Sequence, residues 1–206
     1  MLTQNANLLR FDQRPGVRNI RIKMGKEQDM EGNILVAYAS KYGATQEIAE
    51  KIGEVLHQAG LQADVLPVAG VRDPSPYQAV ILGSAVYIGQ WPKDAVAFLR
   101  AHEKTLAARP VWLFSSGPTG EGDPVELVDG WRLPAGVRPV VDRIRPRDTA
   151  VFHGWIDPKK INWIEKWSVQ NLVKKPFGDF RDWDTIVNWT TQIAFAVKET
   201  ELSPVA

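Results

Sequence analysis

Residues 34–56 read ILVAYASKYGATQEIAEKIGEVL, and this stretch constrains the fold more than any other. Ile34, Leu35, Val36, Ala37 and Tyr38 form a nearly continuous apolar run. A strand with no polar face has both faces covered, which is the situation of a parallel strand between two helical layers. A short polar loop follows, then Ile48, Ile52, Val55 and Leu56 at helical spacing. In such a strand–loop–helix unit the unpaired amides and the positive end of the helix dipole meet at the loop, forming a seat for a phosphate. Ser40 and Thr45 add hydroxyl donors, and Gly43 permits close approach of backbone. Glycine is too sparse for a P-loop, and the dinucleotide fingerprint is absent. The loop alone is equally compatible with a plain βα turn in which Thr45 caps the helix.

The unit repeats along the chain. Residues 62–68, 79–84, 111–115 and 149–155 read as four more strands, and 178–183 as a turn. Helical patterns lie between the strands: Pro92 opens one that runs to about residue 108, and a short one covers 137–144. Asp182 is placed to cap a last helix carrying Ile186, Val187, Trp189, Ile193, Ala194 and Val197. Five buried strands alternating with helices predict an α/β, doubly wound parallel sheet with right-handed crossovers. Ligands of such sheets bind at the carboxyl ends of the strands. Three loops leave those ends with suitable chemistry: 40–45, 84–91 and 115–123.

At 206 residues, 44% hydrophobic and 24% charged, the chain suits one buried domain with additions. The expected division is an irregular, mildly basic extension at 1–32, a domain at 33–200 and a tail at 201–206. A formal charge of +1 gives no basic excess and argues against nucleic-acid binding. No cysteine is present, and the three histidines, His57, His102 and His153, have no metal-ligand spacing. No apolar run reaches transmembrane length, so a cytoplasmic protein is expected.

The loop Ser40-Lys41-Tyr42-Gly43-Ala44-Thr45 resembles the phosphate loop of flavodoxins, usually Thr/Ser-x-Thr-Gly-x-Thr, with Tyr42 where a small hydroxyl residue is usual. A nearer resemblance is to the flavodoxin-like, quinone-dependent protoporphyrinogen dehydrogenases. It covers about residues 33–197. It rests on Gln62-Ala63-Asp64-Val65, on Gly83-Ser84-Ala85-Val86-Tyr87-Ile88-Gly89, on a basic aromatic insert after strand five and on an Asp-Trp start to the last helix; 116–136 match poorly. The resemblance implies a flavodoxin-like sheet and FMN. Ser40, Lys41, Tyr42, Gly43, Ala44 and Thr45 would hold the phosphate. Ala85, Val86, Tyr87, Ile88 and Gly89 would run beside the isoalloxazine, with Tyr87 as ring neighbour. Ser116, Gly117, Pro118, Thr119 and Gly120 would close the other side. Core packing is the competing role for Tyr87 and more so for Trp91. No side chain is singled out as a catalytic acid or base. His153, at the end of strand five, fits a satisfied structural histidine better than a catalytic one.

The insert, 157–176, carries Lys159, Lys160, Lys166, Lys174 and Lys175 against Asp157 and Glu165, with Ile161, Trp163, Ile164, Trp167 and Leu172 as apolar surface. A basic amphipathic helix with tryptophans suits an anionic membrane surface, which would make the protein peripheral at the inner face of the membrane. The alternative is packing on its own domain or on a second copy, as in a homo-oligomer. Three functions follow: an FMN-dependent dehydrogenase taking electrons from a porphyrinogen-type small molecule and giving them to a quinone; a flavodoxin-type carrier with no substrate of its own; and a flavin-free binding module. Near-neutral charge counts against a carrier, since carriers tend to be acidic for docking.

Overall fold

The structure, a computed structural model, describes residues 33–159 and 176–202. The expected extension at 1–32 and the helix expected at 159–174 lie outside those residues, apart from Lys159. Five parallel strands form the sheet: β1 (Ile34–Ala39), β2 (Ala63–Pro67), β3 (Ala79–Ala85), β4 (Val111–Ser116) and β5 (Asp148–Phe152), in the order β2-β1-β3-β4-β5. The helices are α1 (Ala44–Gln58), α2 (Lys93–Ala101), α3 (Glu103–Ala107), α4 (Arg138–Ile144) and α5 (Trp183–Leu202).

Alternation along each strand sends successive side chains into two cores. Ile34 and Val36 of β1, Ile81 of β3 and Phe114 of β4 pack with Ile48, Ile52 and Leu56 of α1 and Ile186 and Ile193 of α5. Leu35, Ala37, Val80, Leu82 and Leu113 point the other way, onto Phe98 and Leu99 of α2, Leu106 of α3 and Val140 and Ile144 of α4. Both faces of β1 and β3 are therefore sealed, as their unbroken apolar sequences require. The chain leaves β1 for α1 and β2 on one side and crosses to β3 on the other. That reversal opens a crevice at the carboxyl ends of β1 and β3.

Three elements differ from the sequence expectation. The fifth strand ends at Phe152, not at residue 155, because Gly154 turns its N–H to the Pro118 carbonyl (2.8 Å) and leaves the sheet. Trp155–Ile156 then forms a separate strand, β6. It pairs antiparallel with β7, Gly178–Asp179, where a simple turn was expected. The helix expected up to about residue 108 is divided at His102, whose ψ of 16° is non-helical.

The cap expected at Asp182 is formed: its carboxylate accepts from the Thr185 N–H at 3.1 Å and from the Thr185 hydroxyl at 2.6 Å. These hydrogen bonds, first the hydroxyl's and then the amide's, hold the Asp182 carboxyl below the usual carboxylate range. A depressed folded pKa stabilises above the unfolded value and is lost as pH falls through the folded one. Asp182→Ala should therefore lower the unfolding free energy by about 1 kcal/mol at neutral pH. In urea titrations the gap between the two proteins should close as the pH falls below about 4.

Candidate functional site

Among the described residues, the buried Thr45, Ser84, Ser115, Ser116 and Thr119 gather at the carboxyl ends of the strands. The Thr45 hydroxyl and the Ser116 hydroxyl share a 2.8 Å hydrogen bond, joining the first turn of α1 to the last residue of β4. Thr45 is thus not the helix cap. Gly43 occupies the N-cap position with φ 95°, a left-handed conformation that costs glycine little, and no side chain caps the helix. The Gly43 N–H donates to Ser40 Oγ at 3.1 Å, curling the loop on itself. The opening amides of α1, those of Ala44, Thr45 and Gln46, have no intrahelical acceptor by geometry.

The second loop stands over the first. The Lys41 N–H donates to the Tyr87 hydroxyl at 3.2 Å, the Tyr42 and Tyr87 rings meet edge to face at 5.9 Å, and Lys41 Nζ lies 4.9 Å from the Tyr42 ring centre. Tyr87 and Gln90 exchange both backbone hydrogen bonds around a two-residue turn, Ile88-Gly89, with φ 49° and 68°. This is the type I′ geometry, in which Asn or Gly is the usual first residue. An isoleucine there is strained, and Ile88 is also 92% exposed. Trp91 is buried, and its indole N–H donates to Ser115 Oγ at 3.0 Å. Core packing is its role.

The third loop is held by backbone contact. The Val86 N–H donates to the Ser116 carbonyl at 2.8 Å, and Gly117 passes Val86 so closely that a Cβ would lie 3.1 Å from its carbonyl oxygen. Gly154 approaches Gly117 in turn; a Cβ there would stand 2.9 Å from the Gly117 backbone. His153 places its two ring nitrogens at 2.9 Å from the Gly122 carbonyl and 3.4 Å from that of Pro118, a structural role fastening this loop. The Thr119 hydroxyl is 1% exposed and has no hydrogen-bond partner among the described residues. Burying such a group without a partner costs about 1–3 kcal/mol.

All three expected segments therefore meet at one edge: Ser40 to Thr45, Ala85 to Gly89, and Ser116 to Gly120. Sequence reasoning missed the ribbon β6–β7 that flanks them. The Phe180 N–H donates to the Gly154 carbonyl at 3.2 Å, and Pro176 lies against Gly120. It also missed Arg181, whose guanidinium pairs with Glu47 in the first turn of α1. Both required pairing between residues far apart in sequence. A cavity of about 570 Å³ opens at the opposite end of the sheet, lined by Arg109, Arg143, Arg145 and Arg147 among others. Two of those arginines are engaged within the fold, Arg109 on backbone carbonyls and Arg143 on Glu103.

A parallel sheet in the order β2-β1-β3-β4-β5 with converging loops at its carboxyl edge defines a flavodoxin-type domain. Residues 35–182 match the model of the Flavodoxin domain family, and the chain belongs to that family. Among curated relatives, the protoporphyrinogen IX dehydrogenase [quinone] of Escherichia coli strain K12 is 22% identical over 170 residues, spanning 78% of this chain and 93% of that one. The chain thus lies in a flavodoxin-like family near that branch. Solved structures agree on the fold. An archaeal flavodoxin superposes with a TM-score of 0.52 at 14% identity, covering 81% of this chain and 99% of that one. The rubredoxin oxygen:oxidoreductase of Desulfovibrio gigas gives 0.55 at 12%, covering 86% of this chain and 39% of that one. Fold and family together imply flavin binding.

The turn geometry yields a prediction. Ile88→Asn should raise the unfolding free energy by about 0.5–1 kcal/mol, because asparagine tolerates positive φ and an exposed isoleucine contributes no packing. Thermal denaturation of the flavin-free protein measures it; a lower melting temperature would show that Ile88 is not strained.

Proposed function

We propose that the protein is an FMN-dependent dehydrogenase that oxidises a porphyrinogen-type substrate, protoporphyrinogen IX, with a quinone as electron acceptor. The observation that carries the FMN assignment is the convergence of three loops, with a buried Thr119 hydroxyl that has no partner among the described residues, at the carboxyl edge of a flavodoxin-type sheet. Ser40, Lys41, Tyr42, Gly43, Ala44 and Thr45 hold the phosphate through the opening amides of α1 and the hydroxyls. Ala85, Val86, Tyr87, Ile88 and Gly89 border one side of the ring, and Ser116, Gly117, Pro118, Thr119 and Gly120 the other. Bound FMN supplies the electron and hydride chemistry; the loops supply orientation and access. Named similarity supports the substrate and the acceptor, through the Escherichia coli relative.

The ribbon β6–β7 supports an enzyme over a simple carrier. The chain leaves this ribbon after Ile156 and returns at Pro176, which lies against Gly120 of the third loop. Contact of the insert 157–176 with an anionic membrane is part of the same proposal. Among the described residues no helix is long and apolar enough to cross a membrane.

The purified protein should take up FMN with the absorption bands of a bound flavin. Anaerobically, protoporphyrinogen IX should reduce the bound FMN once, and repeated turnover should require added quinone. No flavin band after incubation with excess FMN removes the whole reading. Bound FMN without turnover above the spontaneous rate removes the substrate and leaves an electron carrier.

A further inference from the structure

Arg181 lies between β7 and α5, with a side chain only 4% exposed. Its guanidinium forks onto Asp179, with Nη2–Oδ2 at 2.6 Å and Nε–Oδ1 at 2.8 Å. Nη1 donates to Glu47 Oε2 at 2.8 Å and reaches the Ala44 carbonyl at 3.4 Å. Trp155 and Trp183 cover it, with ring centres 5.0 and 4.6 Å away. Burial alone would pull its pKa down, but hydrogen bonds to Asp179 and Glu47 and their charges outweigh that, so the cation is held above its ordinary value. The same bonds hold Asp179 below the usual carboxylate range.

These contacts do two things at the amino end of α1. They place a permanent cation against Glu47, an acid in the first turn of the helix. A first-turn acid suits the helix dipole. Within about one helical turn of a phosphate dianion, however, an uncompensated carboxylate repels it. They also tie α1 to the ribbon, since Trp155 belongs to β6 and Asp179 to β7.

We propose that Arg181 is a positioning residue for the flavin phosphate: it offsets part of the carboxylate charge that Glu47 and Asp179 bring to the amino end of α1. This rests on the FMN reading above. The role is electrostatic and specific to the phosphate, so it separates from general support of the fold when FMN is compared with riboflavin, which has the same ring and no phosphate.

The test is fluorescence titration of the flavin-free protein with FMN and with riboflavin. Arg181→Met keeps the length and apolar stem and removes the charge. It should weaken FMN about tenfold or more while changing riboflavin by less than about twofold. Adding Glu47→Gln to that variant should restore most of the FMN affinity. If Arg181→Met does not fold, Glu47→Gln alone still decides. It leaves Arg181 with one carboxylate in place of two, so FMN should bind about threefold tighter or more and riboflavin unchanged. Equal changes for both ligands, or none in FMN, would overturn the proposal. Failure of the wild-type protein to bind FMN would instead remove the reading on which it rests.

Discussion

The rest of the structure depends on one constraint: β1 and β3 are buried on both faces. A strand in that position has no side on which a polar residue can reach water. Its polar residues are therefore displaced to its ends, and the loops that follow take them up. Ser84, Ser115 and Ser116 stand at the last positions of β3 and β4, and Ser40 directly after β1. Because the strands are parallel, all those ends lie along one edge. The topological reversal between β1 and β3 then keeps helices from closing that edge. The site is thus a consequence of how the core is buried, before any ligand is considered.

Along that edge the loops are made rigid by different means. The first is curled by Ser40 and Gly43 and joined to β4 through the Thr45–Ser116 hydrogen bond. The third is pressed between Val86 and Gly154, where only glycine lets the backbones approach so closely, and is fastened from outside by His153. The second is the exception. It carries strain at Ile88 and presents that residue to solvent beside the two tyrosines. Strain and exposure of an apolar side chain at the same position both oppose folding. Their coincidence at the site edge is the pattern expected where a residue is kept for contact with something other than its own fold.

What was legible in the sequence follows from the same constraint. Strands sealed on both faces read as apolar runs, so β1, β3 and β4 were found nearly to their ends, and the loops after them with them. Gly154 could be seen, but its consequence could not: the strand ends there because Gly117 lies against it, and Gly117 is far away in sequence. The ribbon β6–β7 has two residues per strand and no periodicity to read. Thr45 carried a legible hydroxyl in the first loop, yet its partner is Ser116, so a local capping role was the simpler reading. Arg181 looked like one cation among many. Asp179 and Trp183 stand beside it in sequence, but only the fold adds Glu47 and Trp155.

The ribbon changes what the flavodoxin-type sheet can do. Each of its described attachments goes to a site element: Gly154 to Pro118, Phe180 to Gly154, Pro176 to Gly120, and Arg181 to Ala44 and Glu47. The ribbon is therefore held to the third loop at both of its strands, and through Arg181 to the amino end of α1. A phosphate seated at α1 would bear on the ribbon through Arg181. The charge pair and the backbone contacts thus make the amino end of α1, the third loop and the ribbon one connected unit along the carboxyl edge of the sheet.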